Sequence, residues 1–353
     1  MKYLKDFDVA GKRVLVRCDF NVPIDDSGSI SNDFRIKKTL PTLRYLMANK
    51  AKVIIISHLG EPEGKIIPLL TLDRVKEALE KLLKVPVVKT DDCVGPEVLQ
   101  KISELQPGQV LLLENVRFHK EETDNNAEFG KQLSELGQIY INDAFADCHR
   151  AHASMVAPPT FLPSGAGLLL QQEIENLNAI LQHPKKPMIV LVGGAKVGTK
   201  AKFINNILRL ADGVIVSGLI QKELLEKNIV FDKKEKILSP ADFLDAMDIG
   251  QDTIKIFTAK IKTAKTVVWN GPFGKFEDQQ YKKGTLALAK AIIKSGAFSV
   301  VGGGETIEFL DKEGMIDKFS HISTGGGAML EYLSGEELPG LKALELKYGQ
   351  NQN

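Results

Sequence analysis

Residues 189–204 read IVLVGGAKVGTKAKFI, an apolar, β-branched run that stops at Gly193 and Gly194 and gives way to a helical pattern after Thr199. A strand, a glycine-rich turn and a helix start, in that order, suit a phosphate. Glycine lets the backbone approach an anion, the first helical amides have no intrahelical acceptor, and the helix dipole favours negative charge there. Lys196 and Lys200 flank the turn and add positive charge. The match to a P-loop fails, because Gly198 is followed by Thr-Lys where that motif has Lys and then Ser or Thr. From this stretch alone, a plain strand-to-helix turn with solvated lysines stays open.

A second set of residues offers different chemistry. Asp19, Asn21, His58, Arg117, His119, His149, Arg150 and His152 each follow a short apolar run, with Arg35 a little further on. They gather most of the histidines and several arginines of a chain whose formal net charge is only +1. Arginine presents a planar fork that bonds bidentately to carboxylate or phosphate, so a small anionic molecule is the natural ligand. Any single histidine here can equally be a satisfied structural residue.

The second half repeats the strand-and-turn theme with bare glycines: VLVGGAK, VIVSG, TVVWNGPFG, SVVGGGET and HISTGGG. Backbone amides with Lys196 and Lys200 are what the phosphates of a nucleotide require. Glu305 and Thr306 follow Gly302, Gly303 and Gly304 at the expected start of a helix. A carboxylate there can hold Mg²⁺ on a nucleotide, or simply complement the helix N-terminus. Glu277, after WNGPFGKF, can accept from ribose hydroxyls or remain a solvated loop carboxylate. No G-x-G-x-x-G fingerprint occurs in these turns, which argues against a dehydrogenase.

The elements that carry these residues follow from the same pattern. Apolar runs at residues 13–16, 53–56, 110–113 and 139–141 alternate with helical stretches such as 72–83 and 128–136. That alternation predicts βα units and parallel sheets covered on both faces, with the ligand crevice beyond the carboxyl ends of the strands. At 353 residues the chain suits two domains, taking roughly 150 residues per domain as a guide. Residues 165–181 have helical periodicity and lie between the halves, as an interdomain helix would; a surface helix of the first domain is the other reading. Between residues 217 and 252 only a short strand at 236–238 and a turn at Ser239-Pro240 can be placed.

Composition narrows the class. Apolar content of 43% with 26% charged residues is that of a globular protein, and near-neutral charge gives no field for nucleic acid or membrane. Cys18, Cys93 and Cys148 form no metal-ligand or disulfide pattern, and no apolar run approaches the ~18 residues of a membrane span. A cytoplasmic location is expected.

The segments RCDFNVP, SHLGEPEG, ENVRFH, DAFADCHRAHAS, GGAKVGTK, VVWNGPFGKFE, VVGGGET and FSHISTGGGAMLEYLSGEELPG resemble, in order and over nearly the whole chain, the signature segments of phosphoglycerate kinases. The resemblance implies two doubly wound, Rossmann-like α/β domains: 1–165 with 332–353 for phosphoglycerate, 185–331 for nucleotide, and an interdomain helix at 166–184. It implies reversible phosphoryl transfer between 1,3-bisphosphoglycerate and ADP, giving 3-phosphoglycerate and ATP, with Mg²⁺, by a protein that acts as a monomer. The acid would be bound by Asp19, Asn21, Arg35, His58, Arg117 and Arg150. The nucleotide would be bound by Gly193, Lys196, Lys200, Asn270, Glu277, Gly302, Gly303, Gly304, Glu305 and Thr306, with Glu305 as metal ligand. Arg35, Lys200, Gly325 and Gly326 would surround the transferring group once the domains close.

This chain departs from the family pattern in four places. Glu61 stands where the family has an arginine that helps hold the substrate phosphate. Thr199 replaces an Asp, keeping only a capping role, and Glu305 replaces the family's metal-binding Asp with a side chain one methylene longer. Several dozen residues are missing between 217 and 252, where SGLIQ replaces a glycine-rich segment. Glu61 and the shortened region support a second reading, a paralogue that binds nucleotide or a phosphorylated acid with little or no turnover.

Overall fold

A computed structural model describes residues 1–194 and 198–346; Lys196 and the side chain of Thr199 lie outside the described residues. The chain divides into two compact units, Met1–Glu173 with the chain from Glu337 onward, and Ile174–Glu336.

The first unit is built on six strands: β1 (Arg13–Cys18), β2 (Lys52–Ile56), β3 (Val87–Lys89), β4 (Val110–Leu112), β5 (Ile139–Asp143) and β6 (Ser164–Ala166). Their order is β3-β4-β2-β1-β5-β6, and every neighbouring pair is parallel. Val14, Val16, Val53, Ile55, Val110, Leu112, Ile139 and Ile141 share one face and pack with Leu43 and Leu46 of helix Phe34–Ala48 and Val75 and Leu79 of helix Asp73–Leu83. Leu15, Ile54, Leu111 and Tyr140 alternate with them and are equally buried. Burial of both faces explains why these strands read as continuous apolar runs, each large side chain contributing roughly 1.5–3 kcal/mol. After β1 the chain moves to one side of the sheet and after β5 to the other, so a crevice opens between the carboxyl ends of these two adjacent strands.

The second unit contains β7 (Met188–Val192), β8 (Gly213–Val216), β9 (Ile237–Leu238), a small antiparallel hairpin of β10 (Phe243–Leu244) and β11 (Asp248–Ile249), then β12 (Thr266–Asn270), β13 (Phe298–Gly302) and β14 (His321–Ile322). The main sheet runs β14-β13-β12-β7-β8-β9, again parallel throughout. Its reversal of direction lies between β7 and β12. The region from 217 to 252 holds more order than the sequence suggests. Ser217 caps helix Gly218–Glu226 by accepting from the Ile220 amide, and that helix buries only Ile220 and Leu224, too few apolar positions to show a period.

The segment from residue 165 is not helical at its start. Gly165 and Ala166 end β6, where a Cβ on Gly165 would meet the Lys2 carbonyl at 2.8 Å, and the helix spans Leu168–Gln182. The boundary between units falls inside this helix, after Glu173. Its first turn is capped from β5, because Asp143 Oδ1 accepts from the amides of Leu169 (2.9 Å) and Leu170 (3.1 Å).

Burial raises the Asp143 carboxyl to about 7. A folded-state value above the unfolded one contributes stability that is complete below about pH 4 and is lost as the pH rises through about 7. The stability of the native protein relative to Asp143→Asn should therefore fall across this window and level off above it. Denaturant midpoints of both proteins, compared at about pH 4, 6 and 8, test this; a constant difference would mean that Asp143 is ionised throughout.

Candidate active site

At the β1/β5 crevice, the end of β1 delivers Arg17, the residue after the strand is Asp19, and the turn after β5 delivers Asp147, His149 and Arg150. Arg17 was not anticipated by the sequence reading. It is completely buried, its Nη2 lying 3.2 Å from Asp147 Oδ2 and 3.2 Å from His58 Nδ1, and its Nε donating to Ser154 Oγ at 2.9 Å. Ser154 in turn donates from its hydroxyl (2.6 Å) and amide (2.8 Å) to the buried Glu122. Burial alone would depress the Arg17 guanidinium, but the charges of Asp147 and Glu122 outweigh it and hold it above its ordinary value. A usable signal was present: an arginine inside an apolar run that is covered on both faces must be paired.

His58 is buried, and its imidazole is held well below its ordinary value by burial and then by Arg17 and Arg117. Arginine cannot accept, so neutral His58 accepts at Nδ1 and carries its proton on Nε2. Burial takes His152 down to about 4, leaving a second neutral imidazole. Ligating atoms of Asp19, His58 and Asp147 converge within 4.8 Å, yet Arg17 already supplies the positive charge this cluster needs.

The remaining expected residues also meet here. Arg35, from helix Phe34–Ala48, sits 2.7 Å from Asp19 Oδ2 and donates to the Asn21 carbonyl (3.1 Å). Asn21 Oδ1 accepts from the Gly60 amide (2.9 Å), which joins the loop after β1 to the loop after β2. Arg117 is 1% exposed; its Nη1 donates to the Gly60 carbonyl at 2.9 Å and lies 2.8 Å from Glu61 Oε1, while Nε and Nη2 have no acceptor. Arg150 meets the same Glu61 oxygen at 3.2 Å. Among the described residues, those with buried polar atoms lacking a hydrogen-bond partner are Arg13, Asp19, Arg117, Asp143, Asp147, His149 and His152, and all but Arg13 and Asp143 belong to this crevice. Asp19 Oδ2 and Asp147 Oδ2 are met by the ion pairs with Arg35 and Arg17, whereas Nε and Nη2 of Arg117 are left without an acceptor, a costly state for a buried guanidinium that marks a place built for an anionic ligand. His119 is different: it bonds Asp92 at 2.6 Å and stacks on Phe129.

At the β7/β12 reversal, the loops after the two strands interlock. Gly193 donates to the Asn270 carbonyl (2.8 Å) and Gly194 to the Pro272 carbonyl (2.7 Å). Gly193 admits no side chain, since a Cβ would lie 2.2 Å from the Pro272 oxygen. Lys200, in the first turn of helix Gly198–Ile207, is 8% exposed and donates from Nζ to the Gly193 carbonyl at 2.5 Å. A Cβ placed on Gly194 would be 3.0 Å from Lys200 Nζ and 3.6 Å from Glu305 Oε2, so cation, carboxylate and bare backbone face one point.

Glu305 projects from the first turn of helix Gly304–Lys312, which follows Gly302 and Gly303 at the end of β13. Thr306 is fully buried and accepts from the Gly271 amide (2.9 Å), so its hydroxyl ties this helix to the loop after β12. Asn270 donates from Nδ2 to the Gly326 carbonyl (3.2 Å), and a Cβ on Gly326 would come within 2.7 Å of Gly303. Gly325 is the N-cap of helix Gly326–Leu333. Beside these turns is a cavity of about 290 Å³ lined by Gly194, Phe243, Met247, Phe276, Glu277 and Glu305, among others. Apolar walls with acidic groups at the rim suit a flat heterocycle carrying a sugar and phosphates.

The model of the family described as phosphoglycerate kinase matches residues 4–231 and 225–336. A phosphoglycerate kinase of Pelotomaculum thermopropionicum is 40% identical over 388 residues, covering 97% of this chain and 98% of the relative, and one of Moorella thermoacetica is 41% identical over 389 residues, covering 98% and 99%. These matched lengths exceed the 353 residues of this chain, so the relatives carry residues that it lacks. The crystal structure of the Pyrococcus horikoshii phosphoglycerate kinase superimposes with a TM-score of 0.89 at 35% identity, covering 98% of both chains. That of the Coxiella burnetii phosphoglycerate kinase gives 0.79 at 36%, covering 97% of this chain and 98% of the other. With two parallel-sheet units, an arginine-rich crevice in one and a glycine-lined crevice in the other, this chain belongs to the phosphoglycerate kinase family.

Proposed function

We propose that the two crevices divide between them the reaction of the family, reversible phosphoryl transfer from 1,3-bisphosphoglycerate to ADP, giving 3-phosphoglycerate and ATP. The first crevice takes the phosphorylated acid through Asp19, Asn21, Arg35, His58, Arg117 and Arg150. The observation that carries this is Arg117, a buried guanidinium with two of its three nitrogens, Nε and Nη2, lacking an acceptor. A phosphate supplies several oxygens in the plane a guanidinium needs.

The second crevice takes the nucleotide, with Gly193, Lys196 and Lys200 toward its phosphates, Glu277 toward the sugar, and the amides of Gly302, Gly303 and Gly304 at the sheet edge. Asn270 and Thr306 hold the loops that line it. Glu305 fits a divalent cation, because its carboxylate faces the point shared with Lys200 and Gly194 and has solvent on its other side. Bound there, Mg²⁺ would neutralise phosphate charge. Phosphoryl transfer leaves the protein little covalent chemistry, so Arg35, Lys200 and the backbone of Gly325 and Gly326 act by positioning and by stabilising charge on the transferring group.

The protein would work as a monomer in the cytoplasm, with no nucleic-acid or membrane partner. Its near-neutral charge gives no field for nucleic acid or an anionic membrane, and among the described residues no helix is long and apolar enough to cross a membrane.

A coupled assay of ATP formation from 1,3-bisphosphoglycerate, ADP and Mg²⁺ tests the reaction. Calorimetric binding of nucleotide and 3-phosphoglycerate without turnover would instead support a non-catalytic paralogue, the reading favoured by Glu61 lying on Arg117 and Arg150. Glu305→Gln should raise the Mg²⁺ concentration for half-maximal rate by about tenfold or more, as expected for loss of one charged ligand. An unchanged requirement would move the metal away from Glu305.

A further inference from the structure

Glu61 is 62% exposed, but the chain on both sides of it is fixed. Asn115 Nδ2 donates to the Leu59 carbonyl at 2.8 Å, Asn21 and Arg117 hold the amide and carbonyl of Gly60, and the Gly64 amide donates to the Arg117 carbonyl at 3.2 Å. The backbone therefore delivers this carboxylate to the arginines. A single oxygen, Oε1, touches both, at 2.8 Å from Arg117 and 3.2 Å from Arg150. That oxygen engages only one edge of Arg117 and leaves its Nε and Nη2 unmet.

We propose that Glu61 is a tethered competitor for the substrate's phosphate, a residue that sets the affinity threshold of the anion subsite by occupying Arg117 and Arg150 until the acid displaces it. The proposal rests on the reading that the substrate phosphate is held by these two arginines. A carboxylate on its own loop is always present at the subsite, so it raises the threshold an incoming anion must pass. An inorganic oxyanion, bound at this point alone, is held off. The phosphate of the proper substrate wins because it can reach the unused nitrogens of Arg117, and because the rest of the molecule is anchored at Asp19, Asn21 and Arg35. The cost falls equally on anchored and unanchored anions, so their ratio of affinities is unchanged, but the lowered affinity leaves a weak, unanchored anion below its binding threshold while the anchored substrate still passes it.

The test is steady-state kinetics of Glu61→Gln in the direction that consumes 3-phosphoglycerate and ATP, with inorganic sulfate as the probe anion. Glutamine keeps the shape and removes the charge, and at so exposed a position it leaves the fold intact. Each ion pair is partly solvated, so KM for 3-phosphoglycerate should fall by about three- to tenfold, with KM for ATP unchanged. Sulfate should inhibit the variant at correspondingly lower concentration. Arg150→Ala, measured alongside, separates the two ideas. If Arg150→Ala leaves KM for 3-phosphoglycerate unchanged, the phosphate is held elsewhere and both the site reading and this proposal fall. If Arg150→Ala raises that KM while Glu61→Gln moves neither KM nor sulfate inhibition, the site stands and the tethered competitor is overturned.

Discussion

Lys200→Ala should lower kcat by roughly 10²–10³-fold while changing the dissociation constant of the nucleotide by less than about tenfold. The difference in scale comes from where the ammonium sits. Lys200 Nζ is held against the Gly193 carbonyl and faces the same point beside Gly194 as the Glu305 carboxylate, so the glycine turn fixes where the positive charge sits. The ground-state nucleotide has many other contacts in the proposed site, chiefly backbone amides, and does not depend on one lysine. Charge moving between donor and acceptor during transfer has few partners, and a lysine in a sparsely hydrated site is worth most at that moment. Steady-state rates combined with calorimetry of nucleotide binding decide the matter. Parallel losses in rate and affinity would assign Lys200 to uniform binding instead.

Arg17→Ala should destabilise the first unit by about 3–5 kcal/mol, the usual consequence of removing one partner of a buried charge pair. Its guanidinium is completely enclosed and serves Asp147, His58, Ser154 and the Cys18 carbonyl together. Without it Asp147 and Glu122 are two buried acids with no cation between them. Because the damage is the stranded charge more than the lost contact, Arg17→Ala combined with Asp147→Ala should cost clearly less than the two single losses added together. Denaturant unfolding monitored by circular dichroism supplies the numbers; strict additivity would show that Arg17 and Asp147 do not depend on each other.

The sheets were legible because both faces of each are covered. Runs such as those at 53–56 and 139–141 are continuous apolar stretches that only a parallel, helix-covered strand requires, and β2 and β5 lie there. β4 is as short but sits in a four-residue apolar run, whereas β3 ends on Lys89 with Val88 exposed, and Ser164, Gly165 and Ala166 of β6 have no strand preference of their own, so neither of these two strands shows in the sequence. At the site, the residues after each run could be named from position alone, since the crevice follows from the strand order. What they bond could not. Nothing local distinguishes His58, bonded to Arg17, from His119, turned to Asp92, because their partners are 41 and 27 positions away in the chain. Glu61 could be seen to depart from a pattern, but its bridge between Arg117 and Arg150 depends on three loops meeting.

The distribution of two scarce residue types gives the molecule a built-in pair of reporters. Its single tryptophan, Trp269, is fully buried in β12 and donates to the Gly271 carbonyl at 2.8 Å, directly under the glycine turns of the second unit. All three cysteines are buried in the first unit, and burial pushes the thiols of Cys18 and Cys93 well up, so they stay protonated and unreactive while that unit is folded. Indole fluorescence therefore follows the second unit alone, and thiol labelling follows the first unit alone. The order in which the two units open can be read on the natural chain, with no residue substituted.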